Sequence, residues 1–207
     1  MKRFLKGLVP SVMAGLIVSV GCVMFLSIAD SVVGAIFFTL GLFLVLTRGY
    51  DLYTGKIAYV PDQKPAYLLY MVKVWLGNLL GALLCAALVS GTKLTSLTER
   101  AHTIASGKLS QTPLSAFILA MFCGLAIYFA VENYKQNPHE LGKYLGLLFM
   151  IPLFIICGFE HCVADMFYFA FGGLLFTEAK AWLYLAVITL GNSAASILLR
   201  LGRKYFM

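Results

Sequence analysis

Residues 155–166 read I-I-C-G-F-E-H-C-V-A-D-M and set Glu160, His161 and Asp165 inside a run of hydrocarbon character. Ionisable groups in such surroundings are costly, so they mark a transport path or a structural ion pair. His161 is the only one of the three histidines within an apolar segment. A neutral imidazole donates one hydrogen bond and accepts another, and it titrates near neutral pH. A second segment, residues 47–56, reads T-R-G-Y-D-L-Y-T-G-K. It repeats the order glycine, aromatic, acid: Gly49-Tyr50-Asp51 against Gly158-Phe159-Glu160. Chemistry built from these residues is the handling of a small charged solute and its proton in a low-dielectric layer.

The elements that must hold them are membrane helices. The chain is 61% apolar and 12% charged, where soluble domains carry about 25% charge. Six apolar blocks span roughly residues 8–29, 32–60, 67–90, 112–131, 144–176 and 181–200. Each is long enough to cross a bilayer, so the fold class is all-α, a polytopic membrane protein of six transmembrane helices. The N-terminal M-K-R-F-L-K leads straight into the first block and is expected to remain as the first span. Blocks two and five carry glycine and charge in mid-run. Irregular backbone survives at that depth only against a protein-lined cavity, so both are expected to be broken helices, near 47–55 and 156–163.

The five cysteines all lie in apolar blocks and read as small core hydrophobes, neither a disulfide set nor metal ligands. No metal or other cofactor is implied. The net charge of +7 belongs to residues flanking the blocks, which argues for membrane topology rather than nucleic acid. With both termini cytoplasmic, the inner side carries Lys2, Arg3, Lys6, Lys64, Lys135, Lys143, Arg200, Arg203 and Lys204, against Lys93, Arg100, Lys108 and Lys180 outside. That imbalance fits an even number of spans. The outer loop 91–111 is polar and basic, with no sign of a domain.

The halves match elsewhere too. L-G-N recurs at Leu76-Gly77-Asn78 and Leu190-Gly191-Asn192, after a plain and then a broken helix in each half. Three spans per copy force the second copy to enter from the opposite side. The chain is thus expected to be one transmembrane domain, 1–207, made of an inverted repeat, 8–90 and 112–201, with its breaks near the midplane. Asn78 and Asn192 are expected to bond the opened backbone of a neighbouring break. Asp51 and Glu160 would hold the breaks themselves. Two half-helix N-termini would offer free N–H donors, His161 a hydrogen bond or proton, and Lys108 a capturing charge at the outer mouth. These are parts for conducting a small monovalent anion or its weak acid. An intramembrane enzyme would need a paired nucleophile and base or an H-E-x-x-H, which the sequence lacks, so no enzymatic activity is expected. A non-conducting structural or assembly subunit is the remaining alternative.

The motifs resemble those of the formate/nitrite transporter family, which includes hydrosulfide channels. The resemblance runs from about residue 34 to 202. G-F-E-H-C-V-A-D-M matches the family's fifth-span motif, G-Y-D-L-Y-T-G its second, and L-G-N-L-L-G-A-L and T-L-G-N its third and sixth. The resemblance implies an aquaporin-like arrangement, a homopentamer with a pore in each protomer, and residence in the cell inner membrane among lipid. It implies His161 at the pore centre with Thr54 as polar partner, constrictions from Phe38, Leu42, Leu52, Tyr53 and Phe154, and Lys108 in the vestibule. The expected solute is formate or nitrite, with a proton as partner; hydrosulfide is the alternative. Three of the positions that depart from the family pattern are expected to tilt selectivity; Ala120, where a glycine is usual, also departs. Asp165 stands for the usual asparagine, Gly124 also for an asparagine, and Arg48 for an uncharged residue. Gly124 would add room for solute, and Arg48 and Asp165 fall in equivalent regions of the two halves, with their pairing left open.

Overall fold

The computed structural model describes the backbone of residues 2–206 and the side chains of residues 7–206. Lys2, Arg3 and Lys6, counted above on the inner side, lie outside the described side chains. The described chain is helical, with no strand. Four helices are long and apolar enough to cross a membrane. They are α1 (Lys2–Ser27, apolar from Gly7), α4 (Ala66–Ser90), α6 (Pro113–Gln136) and α10 (Ala179–Phe206). Large apolar side chains stud the outside of the bundle, Leu69, Leu88, Leu114, Phe149 and Leu190 among them. Water does not tolerate so much continuous apolar surface; lipid does.

Between these helices the chain breaks twice. In the first passage α2 (Ser31–Thr47) stops, and the chain resumes as α3 (Tyr53–Lys56) and a 3-10 segment (Ile57–Asp62). In the second, α7 (Glu140–Ile156) stops and α8 (Cys162–Phe171) resumes, followed by the short α9 (Leu174–Thr177). α1 packs on α2 and α4, and α6 packs on α7 and α10 in the same way. Each broken passage then crosses to the other group. α8 lies against α4, while α3 touches α6 and the 3-10 segment lies along α10. The two breaks therefore meet in the middle of the bundle.

Local sequence explains the boundaries. Asp30 caps α2, accepting from the Val33 N–H at 2.9 Å. Thr112 does the same for α6 at the Ser115 N–H, 3.2 Å, with Pro113 at the first helical position. The loop 91–111 is more ordered than its polarity suggested. It contains a 3-10 segment (Lys93–Leu97) and a 13-residue helix, α5 (Thr98–Ser110), packed on α8. Its signal is modest: Ala101, Ala105 and Leu109, spaced four apart, are its buried face.

Candidate functional site

The two breaks share one backbone frame. At the end of α2 the N–H groups of Gly49 and Tyr50 bond to the carbonyls of Leu46 (3.2 Å) and Val45 (2.9 Å). At the end of α7, Gly158 and Phe159 bond to Ile155 (3.1 Å) and Phe154 (2.8 Å). Gly49 has φ +68 and Gly158 φ +66. This is the glycine-terminated stop that satisfies the last carbonyls of a helix, and it needs a residue without a Cβ penalty at positive φ.

An asparagine on the third helix of each group then holds the unwound strand. Asn78 Oδ1 accepts from the Tyr53 N–H (2.9 Å), and its Nδ2 donates to the carbonyls of Ser11 (2.7 Å) and Asp51 (2.9 Å). Asn192 Oδ1 accepts from the Cys162 N–H (3.0 Å), and its Nδ2 donates to Ala120 (2.8 Å) and Glu160 (2.8 Å). Each amide thus spends two of its three bonds on opened backbone that would otherwise be unpaired in a low-dielectric layer, and the third on a carbonyl of a neighbouring helix. Close helix approach makes this reach possible. A Cβ on Gly15 would lie 2.0 Å from the Asn78 carbonyl oxygen, and one on Gly124 2.5 Å from that of Asn192. Gly124 therefore seats α6 on α10 and leaves no room for solute, contrary to the expectation from sequence. Three of the first-turn donors of the half-helices are engaged: Tyr53 and Cys162 by the asparagines, Ala164 by His161.

His161 occupies the N-cap of α8. Its Nδ1 accepts from the Ala164 N–H at 3.1 Å, and its Nε2 lies 3.0 Å from Thr54 Oγ1. An acceptor Nδ1 assigns the neutral tautomer with the hydrogen on Nε2, which donates toward Thr54. Phe154 stacks on the imidazole with ring centroids 5.6 Å apart, and Phe38 meets Phe154 edge-on at 5.9 Å. Phe38, Phe154 and His161 line a cavity of about 620 Å³. The Phe38 and Phe154 rings beside His161 make this part of the cavity an apolar wall with a polar group next to it.

The cavity's charged wall differs from the one expected. Lys108, on α5, bonds Glu160 Oε2 and lies 2.9 Å from Asp165 Oδ1. The other Glu160 oxygen accepts from Gln111 Nε2 at 2.6 Å. Lys108 is therefore no bare vestibule charge, because two carboxylates share it. Asp165 pairs with Lys108 and not with Arg48, which sits exposed at the end of α2. Arg100, about two turns before Lys108 on α5, was read in the sequence only as a topology marker. It lines the same cavity, and its Nη1 donates to the carbonyls of Leu26 (2.7 Å) and Ile28 (2.8 Å). Among the described residues it has no carboxylate partner within ion-pair distance.

The remaining candidates separate. Leu42 and Leu52 are buried in the core, Leu52 at the N-cap of α3. Tyr53 turns away from the cavity into a groove with Trp75 and Thr189, its hydroxyl 3.0 Å from Ser193 Oγ. Adjacent residues point to different sides, so Thr54 reaches His161 and Tyr53 does not. Asp51 pairs with Lys56 at 3.1 Å.

Residues 1–206 match the family model described as formate/nitrite transporter. The chain belongs to this family. It is 29% identical over 168 residues to the formate channel FocA of Haemophilus influenzae, covering 75% of this chain and 59% of that one. The chain thus spans less than two thirds of that relative's length. It is 31% identical over 191 residues to a probable formate transporter of Methanothermobacter thermautotrophicus, covering 78% and 69% of the two chains. A solved structure described as an FNT family ion channel superposes with a TM-score of 0.87 at 26% identity, covering 98% of this chain and 90% of that one. The protein is a multi-pass membrane protein with the fold of these channels.

Proposed function

We propose that the protein conducts a small monovalent anion, formate or nitrite, across the cell inner membrane as its weak acid. The observation that carries this reading is the buried His161–Thr54 pair at the end of the aromatic-lined cavity. In this reading α1, α4, α6 and α10 with the two broken passages make six spans. The matching stops, asparagine clamps and glycine contacts support an inverted repeat, 8–90 and 112–201, within one transmembrane domain. The basic bias supports cytoplasmic termini. Assembly as a homopentamer with a pore in each protomer rests on family membership.

Arg100 draws the anion into the cavity. Its guanidinium is anchored to the end of α1 and has donors to spare. The solute then passes the Phe38–Phe154 pair, whose apolar rings exclude hydrated ions. At His161 it accepts a hydrogen bond from Nε2–H in place of Thr54, whose hydroxyl supplies a second donor. His161 acts as a donor and not as a proton store. An imidazolium would carry hydrogen on Nδ1 and give up the bond that caps α8. Hydrosulfide loses its support from this chain, since Gly124 opens no space in the path.

Reconstituted vesicles given formate, nitrite, hydrosulfide and chloride at matched gradients test the proposal. Formate and nitrite are expected to move and chloride to be excluded. Chloride flux equal to formate would contradict it, and absence of any flux would favour the structural-subunit alternative.

A further inference from the structure

Asp165 has a feature that neither the fold nor the His161–Thr54 pair requires. It is 1% exposed and lines the cavity. Apart from the ion pair with Lys108, neither of its oxygens has a hydrogen-bond partner among the described residues. Lys108 meanwhile bonds Glu160, which also has Gln111. Two buried carboxylates thus compete for one ammonium, and Glu160 is much the better served. A second ionised carboxylate in this place would be a charge half compensated and poorly bonded, which a low-dielectric site resists.

The cavity lining makes the consequence countable. Its cations are Arg100 and Lys108, its acids Glu160 and Asp165. With both acids ionised the lining is neutral, and an entering anion leaves a net negative charge. With Asp165 protonated the lining carries one positive charge, and the same anion neutralises it. We propose that Asp165 is the proton-binding residue of a coupled site, so that the cavity takes an anion only together with one proton. The idea rests on the transport reading above. By linkage, the anion must raise the proton affinity of Asp165 as much as the proton raises affinity for the anion.

The groups facing Asp165 leave it as the one that switches. Lys108 and, farther along the cavity, Arg100 face it from α5; Glu160 and His161 come from the unwound strand. Cys22 of α1, Cys123 of α6, and Cys162 and Tyr168 of α8 itself lie near enough to feel its charge. The thiols and phenol are buried and uncharged, and His161 is held neutral by its cap bond.

The test is formate binding to the detergent-solubilised full-length protein across a pH series, with Asp165→Asn beside the parent. The variant keeps the shape of the side chain and leaves Lys108 with Glu160. In the parent, affinity is expected to weaken about tenfold for each pH unit above the titration of Asp165, one proton being linked to one anion. Above that titration, calorimetry in buffers of different ionisation heat should find about one proton taken up per formate bound. Asp165→Asn should bind formate with affinity independent of pH and no proton uptake. Parent binding without proton uptake, or a variant with the parent's pH slope, overturns the proposal. Infrared spectra of the parent without solute provide a readout that needs neither the variant nor transport. A protonated-carboxyl stretch that disappears as pH rises is expected. Its absence overturns the proposal even in a conducting protein. Its presence in a protein that neither binds nor conducts formate or nitrite would sink the transport reading and leave the proton on Asp165.

Discussion

The two breaks differ by what hangs on an identical frame. In both, a glycine at positive φ ends a helix, and an asparagine holds the next residues by two bonds and a neighbouring helix by a third. In the first, the N-cap of the resumed helix is Leu52, which has no side-chain cap bond, and the acid before it, Asp51, has Lys56 to itself. In the second, the N-cap is His161, which caps α8 with one nitrogen and meets Thr54 with the other. The acid before it shares Lys108 with Asp165. The frame is common to both breaks, and the second adds a histidine and a shared buried ion pair. Thr54 of the first break meets that histidine.

The comparison predicts unequal effects from equivalent changes. Lys108→Met strips the only cation from two buried carboxylates and should cost about 3–5 kcal/mol. Lys56→Met removes a partly exposed partner and should cost less than about 1 kcal/mol. Thermal unfolding in detergent ranks the two; equal losses would mean that the second break is no more buried electrostatically than the first.

Where the frame is shared, effects should match. Asn78→Ala and Asn192→Ala each leave buried backbone groups without partners, at about 1–3 kcal/mol per group stranded. The two variants should lose similar stability and both should lose flux. A large drop for one and none for the other would break the equivalence of the copies. Smaller again, Gly49→Ala and Gly158→Ala each place a Cβ at positive φ and should each cost about 1–2 kcal/mol, with open space around both positions. Unfolding temperatures that fall for one glycine only would show that one stop relaxes into another conformation.

Much of this frame was legible in the sequence. Apolar runs long enough to cross a bilayer, interrupted by glycine beside an acid, force a break that faces protein, and L-G-N supplies the amides to hold it. What was not legible depends on three-dimensional pairing. Lys108 read as a free charge because its partners, Glu160 and Asp165, lie on another element more than fifty residues away. Arg100 read as a topology marker because nothing in a polar loop shows which face of a helix looks into a cavity. Gly124 read as space, since a missing side chain gives no hint of the Asn192 backbone filling it. Tyr53 and Thr54 are neighbours in a motif, and only the direction of the backbone decides which of them reaches His161.

The central claim is that the second break conducts through His161 as a neutral hydrogen-bond donor. His161→Leu places at the second break the residue type that the first break already has at Leu52. Formate flux into vesicles, measured for this variant and the parent at equal protein density, tests the claim directly. Loss of a buried donor on the path predicts flux lower by about 10²-fold, in a protein that still folds, since the cap bond is worth only about 1 kcal/mol. A folded His161→Leu protein that carries formate as fast as the parent would contradict it.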